Sequence, residues 1–327
     1  MNPLRKVPII KRLFKKFDLV EARLKELEEE QNSLKDELYS LKAVLWNIQR
    51  DSYIHRAMLE NGYEDAVKKW FLLKTGRKLD LKDPKTCSEK IQWIKMYDSS
   101  EIKTLLADKY RVRKYIEERL GKDFLIPLLG VWETFDEINF EELPDKFILK
   151  TNHGSGMNVI VTNKQEMKYD EIRNKFLRWL ATDYSDLSFE LHYKNIKPLI
   201  IAEEYIEELS EKMDYRFWCF DGEPMYIQCR CSDGKSAFYN LRWERCNFWK
   251  EIYTLDEEVQ CPERFADMLS AVRILCQRFI LVRVDFYCLD DGNIKFGEMT
   301  FTPASGIPLK WTPFGDRVIG EQIHLPI

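Results

Sequence analysis

Two segments near the C-terminus carry the residue types that phosphoryl chemistry needs. Val282-Arg283-Val284-Asp285-Phe286-Tyr287 alternates apolar and polar positions, so as a strand it sets Arg283 and Asp285 on one face. Asp290-Asp291-Gly292 is turn chemistry, and Ile294-Lys295-Phe296-Gly297-Glu298-Met299-Thr300 reads as the returning strand. Carboxylates on adjacent strands, with hydroxyl oxygens near, make the hard-oxygen set that magnesium takes alongside nucleotide phosphates. An arginine beside them suits a transferred phosphoryl group. A surface cross-strand polar cluster would show the same pattern.

Further upstream, Phe147-Ile148-Leu149-Lys150-Thr151-Asn152-His153-Gly154-Ser155-Gly156 ends a strand on a lysine and then a small, glycine-containing turn. Glycines let backbone N–H groups close on phosphate oxygens, and the lysine adds charge. No G-x-x-x-x-G-K-[ST] occurs, so this is not a Walker loop, and an ordinary hairpin fits equally well. Ile200-Ile201-Ala202-Glu203-Glu204-Tyr205-Ile206 closes another strand, where backbone groups beside an acidic side chain can read an adenine edge and a ribose hydroxyl. Asp214-Tyr215-Arg216-Phe217 follows, and Asp108-Lys109-Tyr110 sits in a helical stretch.

The elements that must position these residues are mixed. The spacing predicts helices over 88–94, 103–120, 170–182 and 263–279. Strands are predicted over 146–151, 158–162, 199–206, 215–220, 224–230, 281–287 and 293–300, with hairpins at Asp221-Gly222 and Asp291-Gly292. That order is α+β. Ahead of it, Phe17, Leu24, Gln31, Leu38 and Leu45 alternate with Val20, Leu27, Leu34, Leu41 and Ile48 as a and d positions of a coiled coil. Gln31 meets its own copy only in parallel register, so a parallel homo-oligomer is expected. Residues 1–16 carry Arg5, Lys6, Lys11, Arg12, Lys15 and Lys16 and no acid, which suits either an anionic membrane surface or a solvated tail.

Composition narrows the function classes. The 327 residues hold 51 basic against 55 acidic side chains, a net charge of −4 that gives no reason to expect nucleic acid. No apolar run approaches the roughly 20 residues of a membrane span. Eight cysteines without a C-x-x-C pair and four scattered histidines give no zinc spacing; reduced, mostly buried thiols are expected.

Taken in order, TCSEKIQWIKMYD, ADKYRVRKYI, LIPLLGVW, FILKTNHGSG, IAEEYI, DYRFWCFDGEP, VRVDFY and GEMTFTPASG resemble the teichuronopeptide-biosynthesis (TupA-like) ATP-grasp family from about Leu72 onward. The resemblance implies an ATP-grasp fold, in which two α+β subdomains clasp ATP, behind the N-terminal coiled coil. It also implies a carboxylate–amine ligase that works through an acyl phosphate. On this chain Lys109 and Lys150 would contact the ATP phosphates, and His153, Gly154, Ser155 and Gly156 would form the lid. Glu203, Tyr205 and Ile206 would line the adenine–ribose pocket, with Glu204 an alternate for Glu203. Asp285 and Glu298 would bind Mg2+, with Thr300 where the superfamily usually has Asn, and Arg283 would stabilise the acyl phosphate.

The expected division is a basic segment at 1–16, a coiled coil at 17–52, a helical lead-in at 53–104 and the catalytic domain at 105–327. The expected substrates are a uronic-acid carboxylate of a bacterial surface polysaccharide or peptide polymer and an amino acid or amine. The expected place is the cytoplasm, at the inner face of the membrane. A sugar kinase, a glycosyltransferase and a non-catalytic coiled-coil scaffold are the competing readings, although no D-x-D sugar-nucleotide motif stands out.

Overall fold

The fold is that of a computed structural model, which describes residues 62–327 apart from Glu211, together with Val20, Arg23, Lys25 and Leu27. Those four residues are helical; the rest of the expected coiled coil and the basic segment lie outside the described residues. Val67–Ile327 forms one compact unit. Among the described residues no helix is long and apolar enough to cross a membrane.

Two antiparallel sheets carry the polar residues singled out above. The smaller has the order β1-β4-β2-β3, built from β1 (Leu128–Trp132), β2 (Phe147–Thr151), β3 (Asn158–Val161) and β4 (Ile200–Glu204). Its strands alternate as their sequences require. Phe147, Leu149, Ile200 and Ala202 turn to one face and are buried with Ile172 and Phe176, which lie one turn apart on a helix covering that face. The opposite face is left to Ile148, Lys150, Ile201 and Glu203. Each large apolar side chain so buried contributes about 1.5–3 kcal/mol.

The larger sheet has the order β10-β9-β5-β6-β7-β8. It comprises β5 (Asp214–Phe220), β6 (Glu223–Arg230), β7 (Ser236–Asn240), β8 (Arg245–Cys246), β9 (Leu281–Cys288) and β10 (Ile294–Thr300). Val282, Val284 and Phe286 of β9 face a core shared with Phe217, Cys219, Ile227 and the helix Phe265–Leu275. Arg283, Asp285 and Tyr287 therefore face the other way. The expected hairpins are present: Asp221 and Gly222, with φ of 48° and 83°, join β5 to β6, and Gly292, with φ of 80°, helps join β9 to β10.

The helical stretch predicted over 103–120 is broken. It forms α2 (Glu101–Ala107), after α1 (Cys87–Tyr97), and then α3 (Val112–Leu120). The Asp108 carboxylate ends the first piece, accepting from the Tyr110 and Arg111 amides at 2.9 and 3.1 Å and offering the backbone an alternative to helix. Strands β1 and β7 and the C-terminal helix Pro313–Glu321 were not legible in the sequence pattern.

Candidate active site

A cavity of about 600 Å³ is lined by residues of both sheets. Its charged lining is five cations (Lys109, Arg113, Lys150, Arg216 and Arg230) and four acids (Glu203, Asp214, Asp285 and Glu298). A larger open groove, of about 1090 Å³, runs beside α3 and contains neither the glycine loop nor the paired strand carboxylates.

The break at Asp108 is what aims Lys109. The Lys109 amide donates to the Asn152 carbonyl at 3.1 Å, and the Asn152 side chain returns a hydrogen bond to Asp108 at 3.0 Å. Asn152 also takes the Leu199 amide on its Oδ1 at 2.7 Å, so one buried side chain ties the loop to the residue before β4 and to Asp108. The Lys109 ammonium then reaches the Gly154 carbonyl. Burial lowers its pKa; Lys150 nearby lowers it further, while Glu298 pulls it back up.

Lys150 and Glu203 face each other between β2 and β4. Glu203 is buried; Lys150 Nζ lies 2.5 Å from one of its oxygens, and Arg113 sits 2.8 Å from the other. Glu204 belongs to the opposite face of β4 and is exposed, so it is no alternate for Glu203. Tyr205 and Ile206 line the cavity with Ile148, Leu209 and Met299, which give it an apolar wall. Ser155 and Gly156 line it as well. His153 does not: its Nε2 lies 3.1 Å from the Trp179 carbonyl, and its Nδ1 is buried without a hydrogen-bond partner among the described residues. Burial is the main cause of its lowered pKa.

The acidic end depends on a β-bulge. Phe296 pairs with Phe286 and Met299 with Val284, so Gly297 and Glu298 both stand opposite Asp285. Phe296 and Met299 stay in the core and Glu298 is turned out beside Asp285. Gly297 permits the close approach: a Cβ there would lie 3.2 Å from the Asp285 carbonyl. Arg283 binds Asp285 through two nitrogens at 2.8 and 2.6 Å. The nitrogen at 2.6 Å also contacts Glu298 at 2.6 Å and the Thr300 hydroxyl at 3.1 Å.

The two acids respond oppositely. Burial pushes Asp285 up to about 7 against the pull of Arg283 and Arg216. Burial also opposes the Glu298 charge, but Arg283, Lys109 and Arg216 outweigh it and hold Glu298 down at about 2. Among the described residues no three His, Cys, Asp or Glu side chains converge as a metal site. The donor set nevertheless fits magnesium: two carboxylates already share one cationic centre, with a hydroxyl oxygen beside it and Glu298 partly open.

Arg216 and Asp214 are site residues to which the sequence pattern assigned no role. Arg216 is the cross-strand partner of Asp285, 3.6 Å from its carboxylate, and bridges it to Asp214 at 2.5 Å. Arg113 is a further site residue that no local motif marks; it stands in the first turn of α3, just past the break that holds Lys109, and lines the cavity beside Glu203.

The TupA-like ATP-grasp family model matches residues 89–324, and the chain belongs to that family. None of the curated proteins matches it. Among solved structures it is similar to D-alanine–D-alanine ligase from Bacillus anthracis complexed with ATP (17% identity, TM-score 0.35, 61% of this chain and 54% of that one). It is also similar to L-amino acid ligase from Bacillus licheniformis (14%, TM-score 0.39, 67% and 50%) and to a D-cycloserine synthetase (13%, TM-score 0.40, 68% and 72%). The chain thus spans about half the length of the first two.

Proposed function

We propose that this protein is an ATP-dependent carboxylate–amine ligase that works through an acyl phosphate. One observation carries the reading: Asp285 and Glu298 share the Arg283 guanidinium in a cavity whose wall also holds Lys109, Lys150 and the Ser155–Gly156 loop. Tyr205 and Ile206 would receive the adenine, and Lys109 and Lys150 the phosphates, the latter drawn away from Glu203. Asp285, Glu298 and Thr300 would hold Mg2+, which neutralises phosphate charge and polarises the phosphoryl group.

In the first step a carboxylate oxygen attacks the γ-phosphorus, the bond to the β-bridging oxygen breaks, and ADP leaves with the electron pair. Arg283, released from the two acids, would meet the charge of the acyl phosphate. In the second, an amine attacks the acyl carbon; the C–N bond forms, the C–O bond to phosphate breaks, and the amine loses its proton. Neither step needs a covalent protein nucleophile, and what the site offers is positioning and charge.

The carboxylate substrate we propose is a uronic acid of a bacterial surface polysaccharide or peptide polymer. The heptads of 17–52 and the basic segment 1–16 would hold an oligomer at the cytoplasmic face of the membrane, a part of the proposal that rests on sequence alone. Calorimetry tests the central reading. Magnesium-dependent ATP binding that Lys150→Ala weakens is expected; no ATP binding together with clear UDP-sugar binding would overturn it in favour of glycosyl transfer.

A further inference from the structure

Beyond the nucleotide end, the cavity contains an unused acid and an unused base opposite one another. Asp214 is only 5% exposed, and its Oδ2 is taken by Arg216 at 2.5 Å. Its Oδ1 is buried with no hydrogen-bond partner among the described residues. A buried polar atom left so is costly, and more so when charged. Directly across the β5–β6 pair stands Arg230. Its guanidinium lies beside Gly234 and makes no hydrogen bond or ion pair among the described residues, although it lines the same cavity.

Positive charge accumulates at this end. Lys310 Nζ lies 3.3 Å from the Gly234 carbonyl, and burial first, then repulsion from Arg230 and Arg216, lowers its pKa. Residues directly opposed in an antiparallel pair have Cβ atoms about 4.5–5.5 Å apart, so a short molecule carrying both charges can span them. Arg216 contacts both Asp214 and Asp285, which puts this pair next to the proposed reacting centre.

We propose that Asp214 and Arg230 form the site for the amine substrate, and that this substrate is an amino acid: its ammonium meets the free Asp214 oxygen and its carboxylate meets Arg230. The assignment rests on the ligase reading for its place in the reaction. There the ammonium gives up a proton to water, its nitrogen attacks the acyl carbon, phosphate departs with the C–O electron pair, and the new C–N nitrogen gives a second proton to water as the amide forms.

The test is ligand-observed NMR on the full chain with single amino acids, ethanolamine and O-phosphoethanolamine as probes, each with and without magnesium and a non-hydrolysable ATP analogue. At least one amino acid should bind, at least tenfold more weakly in Arg230→Gln and in Asp214→Asn, with Arg230→Lys intermediate. Ethanolamine, lacking the anion, should bind no better than the variants bind the amino acid. Circular dichroism of each variant separates lost binding from lost fold, and the Lys variant keeps the charge if Gln disturbs the sheet. No amino acid bound by the wild type, undiminished binding in both charge-removing variants, or preference for O-phosphoethanolamine would overturn the proposal. Amino-acid binding that needs Asp214 and Arg230, in a protein that ignores the nucleotide, would uphold this site and count against the ligase reading alone.

Discussion

Lys150 Nζ lies 2.5 Å from Glu203 Oε2, across the β2–β4 pair. Arg113 holds the other Glu203 oxygen at 2.8 Å. Glu203 therefore keeps a cationic partner if Lys150 is removed, whereas Lys150 has no anionic partner so close among the described residues if Glu203 is removed. Lys150→Ala should cost about tenfold or more in ATP affinity, the equivalent of ~1.4 kcal/mol, with little change in melting temperature. Glu203→Gln should instead lower the melting temperature clearly, because it leaves two cations facing a neutral amide. Calorimetry and thermal melts on the pair read this out; wild-type ATP affinity in Lys150→Ala would remove Lys150 from the phosphate site.

Asp285→Asn and Glu298→Gln should each reduce magnesium-dependent ATP turnover by a hundredfold or more, since both take a charge from the proposed metal site. Their effects on folding should differ. Asp285 is buried and doubly bonded to Arg283, so Asp285→Asn leaves the buried guanidinium with only Glu298 and the Thr300 hydroxyl. The Glu298 side chain keeps 38% of its surface open, and Asp285 still holds Arg283 in the Gln variant. Melting temperature should fall more for Asp285→Asn than for Glu298→Gln. Undiminished turnover in both variants would sink the metal assignment.

Alternation alone would have put Glu298 in the core. With period two, Glu298 belongs on the same face as Phe296, and it is the bulge at Gly297 that sends it to the other side. Gly297 is visible in the sequence, but a glycine in a strand does not say which residue is displaced. The break between α2 and α3 is similar: apolar spacing continues through it, and only the Asp108 side chain, bonded to amides two and three residues on, ends the helix and frees Lys109. Strands with strong alternation, such as β2 and β9, were legible because sidedness is written in their composition. Arg216 and Arg230 were not, because their importance lies in what stands across the sheet from them, which strand pairing decides and local pattern does not.

The loop glycines should separate contact from backbone conformation. A Cβ on Gly154 would come within 2.7 Å of the Tyr184 ring and 3.0 Å of Met157 Sδ. A Cβ on Gly156 would meet nothing within 4 Å, but Gly156 has φ of 74°, which costs a side chain-bearing residue about 1–2 kcal/mol. Gly154→Ala should therefore displace the loop from Tyr184, together with the carbonyl that Lys109 holds, and weaken ATP binding more than Gly156→Ala does. Equal affinity in Gly154→Ala and wild type, by calorimetry, would show that the loop absorbs the methyl without moving Lys109.

Stability should fall on mild acidification through His192. This ring is 2% exposed, packs against Tyr193 and Phe301, and has a buried Nε2 without a partner among the described residues. Burial, opposed by Glu190 and helped by Lys103 and Lys95, pushes its pKa down to about 4. Above about 6.5, the ordinary histidine value, the ring is neutral folded or unfolded and does not affect the balance. Between 6.5 and 4 the unfolded chain takes up a proton that the folded chain refuses, so stability falls with pH across that window and levels off below it. The full depression amounts to about 3 kcal/mol by linkage. His153, also lowered mainly by burial, adds to the same slope. Urea titrations at intervals from pH 7 to 4 should show the decline, and His192→Gln should make it shallower. A variant profile parallel to the wild type would assign the acid sensitivity to other groups.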